Sequence, residues 1–358
     1  MEDNKLKVDI NSVKILEKLV SFNTIKDKEN KEIISFIENY LNKYDFKVIK
    51  KDKYLIMESN FGEEESNLCF VGHTDTVEAV GDWKYNPLKL TIEGNKLYGL
   101  GTCDMKGGIA AFLEAISLLD KNKINKKIKA YFTYDEEIGF SGIKDVLKVE
   151  KNLNSSEKEC NYIIGEPTNN ELLLGSKGLI EYKVTFNGIK VHSSTPDKGK
   201  SAIMDAVAFI GELKAFYDKE IRQENDNAFA IPYTTFNVGI INGGCEINSV
   251  AERCEILFDF RTINKNEKKI VEFTNKLIEK YNAEKIILNN IPAFLNKSEF
   301  TDIVKTCSFI TEASFLEGNK IILGPGPVNP HEKNEYITIE SLEKCVNQYV
   351  EIIYKLCR

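Results

Sequence analysis

The sequence predicts an α/β protein with a largely parallel sheet, interrupted by a smaller α+β insertion. Three observations carry that expectation. Apolar runs of strand length, Leu68 to Val71, Ile128 to Tyr134 and Tyr162 to Ile164, alternate with stretches of helical period, as strands joined by crossover helices do. Each run leads into residues able to hold a metal: Gly72-His73, Asp135-Glu136-Glu137 and Gly165-Glu166. From about Gly178 the texture changes to half-exposed, alternating strands, and it changes back near Asn290.

Taken in order, Val13, Leu16, Leu19 and Val20, then Ile33, Ile34, Ile37 and Leu41, recur at helical spacing over 10–44. They give two helices joined by the polar loop Asn23-Thr-Ile-Lys-Asp-Lys28. Strands are expected at 46–50, 54–58 and 68–72, and Gly107 to Leu119 carries Ile109, Phe112, Ile116 and Leu119 on one helical face. Further strands are expected at 128–134 and 162–165. The insertion reads as a strand over 179–186, a helix over 201–221, strands near 234–241 and 252–260, and a helix over 267–281. Beyond Asn290 the chain is expected to return to helix, then to a short strand at Ile321-Leu323, a glycine and proline loop, and a last helix over 339–356.

A chain of 358 residues suffices for one large or two ordinary domains, and 42% apolar with 29% charged residues is ordinary for a globular protein. No apolar run approaches the ~18 residues of a membrane span. The polar start Met1-Glu2-Asp3-Asn4-Lys5, with no apolar signal segment after it, implies a cytoplasmic protein. A net charge of -7 with scattered Lys and Arg argues against nucleic acid. The eight cysteines form no Cys-x-x-Cys pair, so reduced thiols are expected, with Cys103 notable for preceding Asp104.

His73 and Asp75 are two apart, which in extended backbone puts both on one face. The imidazole can then bind a metal while the carboxylate orients it; a solvated loop is the alternative. The only other histidines, His192 and His331, also lie in polar, glycine- or proline-rich surroundings. The candidate ligands are His73, Asp104, Glu137, Glu166 and His331. Oxygen and imidazole donors without thiolates point to zinc, cobalt or manganese, and one shared carboxylate would let five residues hold two ions. Adjacent side chains diverge, so within Glu136-Glu137 one acid can ligate while the other takes a proton from a water and delivers it to a leaving amine. No Gly-x-Ser-x-Gly nucleophile elbow is present. Gly99-Leu100-Gly101 has Asp104 where a dinucleotide loop needs its third glycine, and Gly324-Pro-Gly-Pro327 lacks a phosphate loop's Gly-Lys-Ser/Thr.

Six segments together resemble the M20 family of metallopeptidases and amidohydrolases. They are Gly72-His-Thr-Asp-Thr-Val77, Tyr98-Gly-Leu-Gly-Thr-Cys-Asp-Met-Lys-Gly107, Asp135-Glu-Glu137, Gly165-Glu-Pro-Thr168, Val191-His-Ser-Ser-Thr-Pro196, and Gly324-Pro-Gly326 leading to His331. The resemblance implies a mixed-sheet, zinc-peptidase-like catalytic domain over 1–177 and 291–358, with a lid and dimerisation domain inserted over 178–290. It implies two divalent ions, zinc first and cobalt or manganese as alternatives. His73, Asp104 and Glu166 would hold one ion, and Asp104, Glu137 and His331 the other. It further implies Glu136 as general base, Asp75 as the acid orienting His73, and a cis Asp104-Met105 peptide. His192 would stabilise the developing oxyanion, from the partner subunit in dimeric members, and Arg261 would grip a substrate carboxylate. Asn248, Gly324 and Gly326 would be further substrate contacts. The family often has proline where Ala251 and Thr262 stand here.

Within the family, several segments resemble the acetylornithine deacetylase branch: Asp82-Trp-Lys-Tyr-Asn-Pro87, Lys96 to Gly101, Ile231 to Asn237, Thr311-Glu-Ala313 and Asn334-Glu-Tyr336. That likeness implies a small N-acetylated, ornithine-like amino acid as substrate and a homodimer formed through the lid. Succinyl-diaminopimelate desuccinylase, a dipeptidase or an aminoacylase are the alternatives. A catalytically silent binding protein is the alternative outside enzymes. Glu312 is expected in a structural ion pair, or opposite a substrate ammonium.

Overall fold

Helical apolar spacing produces α1 (Asn11–Val20) and α2 (Lys31–Asn42), whose buried faces carry Leu16, Leu19, Ile33, Ile34, Ile37 and Leu41. The remaining principal elements, in chain order, are β1 (Phe46–Lys51), β2 (Leu55–Ser59), β3 (Glu64–His73), α3 (Lys106–Ser117), β4 (Lys126–Thr133), α4 (Ser141–Asn152) and β5 (Asn161–Ile164). Then come β6 (Gly178–Asn187), α5 (Ala202–Phe216), β7 (Thr235–Gly243), β8 (Arg253–Thr262), α6 (Glu267–Lys280), β9 (Glu284–Ile291), β10 (Asn319–Ile322) and α7 (Ile339–Cys357). This is a computed structural model, and it describes residues 10–25, 30–152, 160–263, 266–298, 300–301 and 303–358. The start Met1 to Lys5 and the Lys26 to Lys28 part of the first loop lie outside the described residues.

The chain divides into two compact units: Met1–Leu174, Lys297–Asp302 and Thr311–Arg358 form the first, Gly175–Asn296 and Ile303–Ile310 the second. In the first, a six-stranded sheet has the order β1-β2-β4-β3-β5-β10. Strand β3 lies parallel to β4 and β5, and β10 parallel to β5, but β1-β2 and β2-β4 are antiparallel. The sheet is therefore mixed, as the family resemblance implies, with three of its five pairings parallel. The cause is local: only Asp52-Lys53-Tyr54 connects β1 to β2, and so short a link permits only an antiparallel return.

Helices α1, α3 and α7 pack together, and α3 and α7 both lie against β3. Phe70 of β3 stacks on Phe112 of α3 with ring centroids 4.1 Å apart, and Tyr349 of α7 meets Phe70 edge-on at 5.9 Å. At Gly108 helix and sheet approach too closely for any side chain, since a Cβ there would lie 2.0 Å from the Gly165 carbonyl oxygen. That contact brings the start of α3 beside the end of β5. Gly108→Ala is expected to cost about 1–3 kcal/mol by overpacking, read as a lower urea midpoint with an unchanged slope.

In the second unit an antiparallel sheet of order β7-β8-β6-β9 packs with α5 and α6. Phe186, Phe209, Phe258 and Tyr182 are at its core. Helix α5 runs on into a π-turn over Tyr217–Ile221. Met204 and Val207 of α5 and Ile240 and Ile241 of β7 are exposed. Lys177 is buried, donates to the Tyr233 carbonyl, and is pulled by burial down to about 8 from 10.5. Between those values the unfolded chain carries a proton that the folded unit has released, so Lys177's contribution to stability rises with pH. Relative to Lys177→Met, the wild type is expected to gain roughly 1–3 kcal/mol on going from pH 8 to 10.5, read from paired urea melts.

Three segments depart from expectation. The expected elements omit strand β9 and helix α4: in β9 the apolar residues Ile286, Ile287 and Leu288 are consecutive rather than alternating, and all three are exposed, whereas α4 does carry Ile143, Val146 and Leu147 at helical spacing and was passed over. Beyond Asn290 the described chain does not return to helix before α7; it forms the short strands Phe294–Leu295 and Thr306–Cys307 and one 3-10 turn, Glu312–Phe315. Its apolar pairs Ile303-Val304, Phe309-Ile310 and Phe315-Leu316 recur six residues apart, off the helical period. All eight cysteines are free, seven of them buried and Cys245 exposed. Among the described residues no helix is long and apolar enough to cross a membrane.

Candidate metal centre

Because β3, β4 and β5 are parallel, their C-terminal ends share one edge of the sheet. β3 ends on His73, β4 leads through Tyr134 and Asp135 to Glu136 and Glu137, and β5 leads through Gly165 to Glu166. Asp104 precedes α3, and its peptide bond to Met105 is cis, as the family resemblance implies. His331 lies between β10 and α7. Asp135 and His331 both adopt left-handed backbone, with φ of 63° and 62°, a conformation that non-glycine residues hold only when their surroundings enforce it.

The His73 ring is buried, with Nδ1 3.1 Å from the Asp75 carbonyl oxygen and 3.5 Å from Asp75 Oδ1. A carbonyl can only accept, so Nδ1 carries the hydrogen and, in the neutral ring, Nε2 keeps its lone pair. Nε2 lies 3.0 Å from Asp104 Oδ1 and 3.8 Å from Glu166 Oε1. His331 Nε2 lies 3.0 Å from Glu137 Oε2 and 3.5 Å from Asp104 Oδ2. Asp104 thus turns one oxygen to each histidine. The possible ligand atoms of His73, Glu136 and Glu166 fall within 4.8 Å of one another, as do those of His73, Asp104 and Glu137. The Glu137 N–H donates to Asp75 Oδ2 at 3.3 Å, tying the two strand ends together.

Loss of water pushes the Glu136 carboxyl well above its ordinary range; His73 opposes this, and Glu166, Asp104 and Glu137 add to it. Glu166 is raised for the same reasons, burial first and Asp104 next. For Asp104 burial is outweighed by the His331 and His73 imidazoles, which in their protonated forms can both donate to it and hold its carboxyl far below the usual range. Asp104 and Glu137 drive His331 up to about 10. Asp75 Oδ1 and Glu137 Oε1 are buried with no hydrogen-bond partner. Closely packed acids with unpartnered oxygens, two imidazoles and no thiolate form a donor set that fits divalent ions of the zinc, cobalt and manganese class. Cys103 does not join it: its thiol donates to the Pro327 carbonyl, and burial pushes it far up, leaving an unreactive packing group. A cavity of about 1060 Å³ opens beside the centre, lined in part by Asp75, Thr76, Tyr134, Glu137 and Ile138.

Gly324 and Gly326 belong to the first unit, but both are buried and both N–H groups are used internally, on Thr168 Oγ1 and Ser341 Oγ. A Cβ at Gly324 would sit 2.3 Å from the Glu166 carbonyl oxygen. The structure shows a packing role for these glycines, with Gly324 against the Glu166 backbone and Gly326 against Asn169. Glu312 is fully buried, pushed by burial up to about 7, and has no ion-pair partner among the described residues, contrary to the expected ion pair.

His192, Asn248 and Arg261 lie in the second unit. The Ser194 N–H donates to His192 Nδ1 at 3.2 Å, which makes Nδ1 the acceptor and leaves the proton of the neutral ring on Nε2. The Asn248 carbonyl accepts the Ser193 N–H at 2.9 Å, holding the two loops side by side. Arg261, on β8, has its Nε 3.4 Å from Asp259 Oδ1. Sequence reasoning gave no role to Glu335 or Lys106, both buried close to Asp104; their only traces were their places within Asn334-Glu-Tyr336 and Tyr98 to Gly107.

Comparison with known proteins gives the chain's family and fold relatives. Acetylornithine deacetylase from Buchnera aphidicola subsp. Acyrthosiphon pisum is 32% identical over 367 residues, covering 94% of each chain. Acetylornithine deacetylase from Pasteurella multocida is 29% identical and covers 92% of each. Among solved structures, a tripeptidase from Staphylococcus aureus superposes with a TM-score of 0.77 at 21% identity, covering 97% of this chain and 98% of that one. A dinuclear metal-binding M20 peptidase from Bacillus subtilis superposes with a TM-score of 0.71 at 13% identity, covering 97% of each. These two likenesses are of fold alone. The profile of peptidase family M20/M25/M40 matches residues 69–355, and the chain belongs to that family.

Proposed function

We propose that the protein is a dinuclear amidohydrolase that removes the acetyl group from N-acetyl-L-ornithine, giving ornithine and acetate as in arginine biosynthesis. The observation that carries the chemistry is Asp104, with one oxygen 3.0 Å from His73 and the other 3.5 Å from His331. His73, Asp104 and Glu166 would hold one ion, and Asp104, Glu137 and His331 the other. Bound there, two divalent ions, zinc or else cobalt or manganese, supply Lewis-acid polarisation of the amide carbonyl and acidify the attacking water. Glu136 takes the water's proton as its oxygen adds to the carbonyl carbon, then delivers that proton to the nitrogen as the C–N bond breaks. Asp75 keeps His73 in its ligating tautomer. His192, supplied by the partner subunit of a dimer and with its Nε2–H free to donate, would stabilise the negative charge developing on the carbonyl oxygen. Arg261 grips the α-carboxylate, for which a guanidinium fork is suited.

The acetyl-ornithine assignment is supported by the names of relatives 27–32% identical to the chain. A peptidase reading has its own support in the tripeptidase fold likeness. Amine release from N-acetyl-ornithine, N-succinyl-diaminopimelate and a dipeptide, each with and without a chelator, separates them. Preference for the acetyl substrate, abolished by chelation, is expected. Preference for another amide would keep the reaction and overturn the substrate, and silence on all three would leave a binding protein.

We also propose a homodimer joined through the second unit, with a second copy covering Met204, Val207, Ile240 and Ile241, whose large apolar side chains are exposed on one helix and one edge strand. Val207→Glu with Ile241→Lys is expected to shift the sedimentation coefficient to that of a monomer.

A further inference from the structure

Glu335 is 2% exposed, and its carboxylate is surrounded by backbone donors. Oε1 accepts the N–H groups of Cys103 at 2.6 Å and Asp104 at 3.0 Å, and Oε2 accepts that of Gly101 at 3.0 Å. The Glu335 carbonyl accepts a fourth, from Gly99, at 3.1 Å. Successive N–H groups converging in this way make a concavity suited to an anion, here filled by the protein's own carboxylate. Gly101, with φ of 77°, gives the loop the left-handed turn that aims its donors inward.

The same residue is anchored on its own side. Tyr336 begins a strand, Tyr336–Thr338, that pairs antiparallel with Lys96–Tyr98, the strand leading into the Gly99–Asp104 loop. The Asn329 side chain clasps Tyr336 at both backbone groups, each at 3.1 Å, closing the turn that carries His331. One buried carboxylate therefore joins the loop bearing Asp104 to the loop bearing His331. Asp104 and His331 come from segments 227 residues apart in sequence, and apart from Glu335 the Asp104 backbone N–H has no partner in the hydrogen bonds described.

We propose that Glu335 is a positioning residue of the metal centre, fixing the spacing between Asp104 and His331; this rests on the ligand roles proposed above for those two. Removing its carboxylate would leave three N–H groups buried and free to reorient the loop, and it would not alter any group that touches substrate.

The test uses the full-length protein loaded with cobalt(II). Ion affinities are read by competition with a chromophoric chelator and geometry by the visible absorption of the bound cobalt. Glu335→Gln, which turns one acceptor into a donor, is expected to weaken the weaker ion about 10- to 100-fold, to change the cobalt spectrum, and to lower kcat while KM moves less than about twofold. Glu335→Asp, which keeps the charge but falls short by one methylene, covers the case in which the glutamine variant fails to fold, and is expected to lose affinity in the same direction. In a His331→Ala background Glu335→Gln should add little further loss for that ion, because the ligand it places is already gone. Folded Glu335 variants with both affinities and the cobalt spectrum unchanged would overturn the proposal, as would fully additive losses in the double variant. If His331→Ala alone kept both ions at full affinity, the ligand reading itself would fall, and the role of Glu335 with it.

Discussion

Glu136→Gln is expected to retain wild-type metal content and lose roughly 10²- to 10⁴-fold in kcat, the contribution of one positioned acid-base group. The substitution preserves shape and removes only the ability to accept and return a proton. Glu136 is suited to that task by its place beside His73 and Glu166 and by an environment that raises its carboxyl well above the ordinary range. Metal analysis by atomic emission, run alongside turnover of N-acetyl-ornithine, separates loss of proton transfer from loss of ions. Near-normal turnover in this variant would sink the assigned mechanism.

The other large effect is expected at Asp104. An asparagine there keeps one carbonyl oxygen and presents an NH₂ in place of the other, so it cannot face both His73 and His331 with acceptors. Asp104→Asn is expected to weaken both ions by at least roughly 100-fold, more than the loss of a supporting hydrogen bond usually costs. His331→Ala, by contrast, should weaken one ion and spare the His73 side. Equilibrium dialysis against zinc at matched protein concentrations gives the stoichiometry directly. A folded Asp104→Asn protein that still held two ions would show that the two histidines do not share this carboxylate.

Much of the candidate centre was visible in sequence because of where its residues stand. His73, Glu136, Glu137 and Glu166 come directly after short apolar runs, and parallel pairing of β3, β4 and β5 carries the ends of those runs to one edge. The convergence of Asp104 and His331 could be expected only through the family likeness, since no local pattern links a residue before α3 to one in the loop before α7. Glu335 escaped notice for a related reason. Its partners are main-chain N–H groups more than 230 residues earlier, and a backbone donor leaves no mark on residue type. The packing role of Gly324 and Gly326 against the Gly165-Glu166 backbone and Asn169 was not legible either, since the residues they approach lie more than 150 positions earlier. Strand β9 shows no alternation because its exposed apolar residues Ile286, Ile287 and Leu288 are consecutive, and the 291–318 segment was read as helix although its apolar pairs are out of helical step.

The distribution of thiols turns the chain into its own gauge of foldedness. A reagent that alkylates accessible cysteines should modify one site, Cys245, on each native molecule, and all eight once denaturant is added. Intact mass after a brief exposure would then sort a preparation into singly and multiply modified populations. Their ratio reports what fraction of each variant is native before any assay of ions or turnover begins.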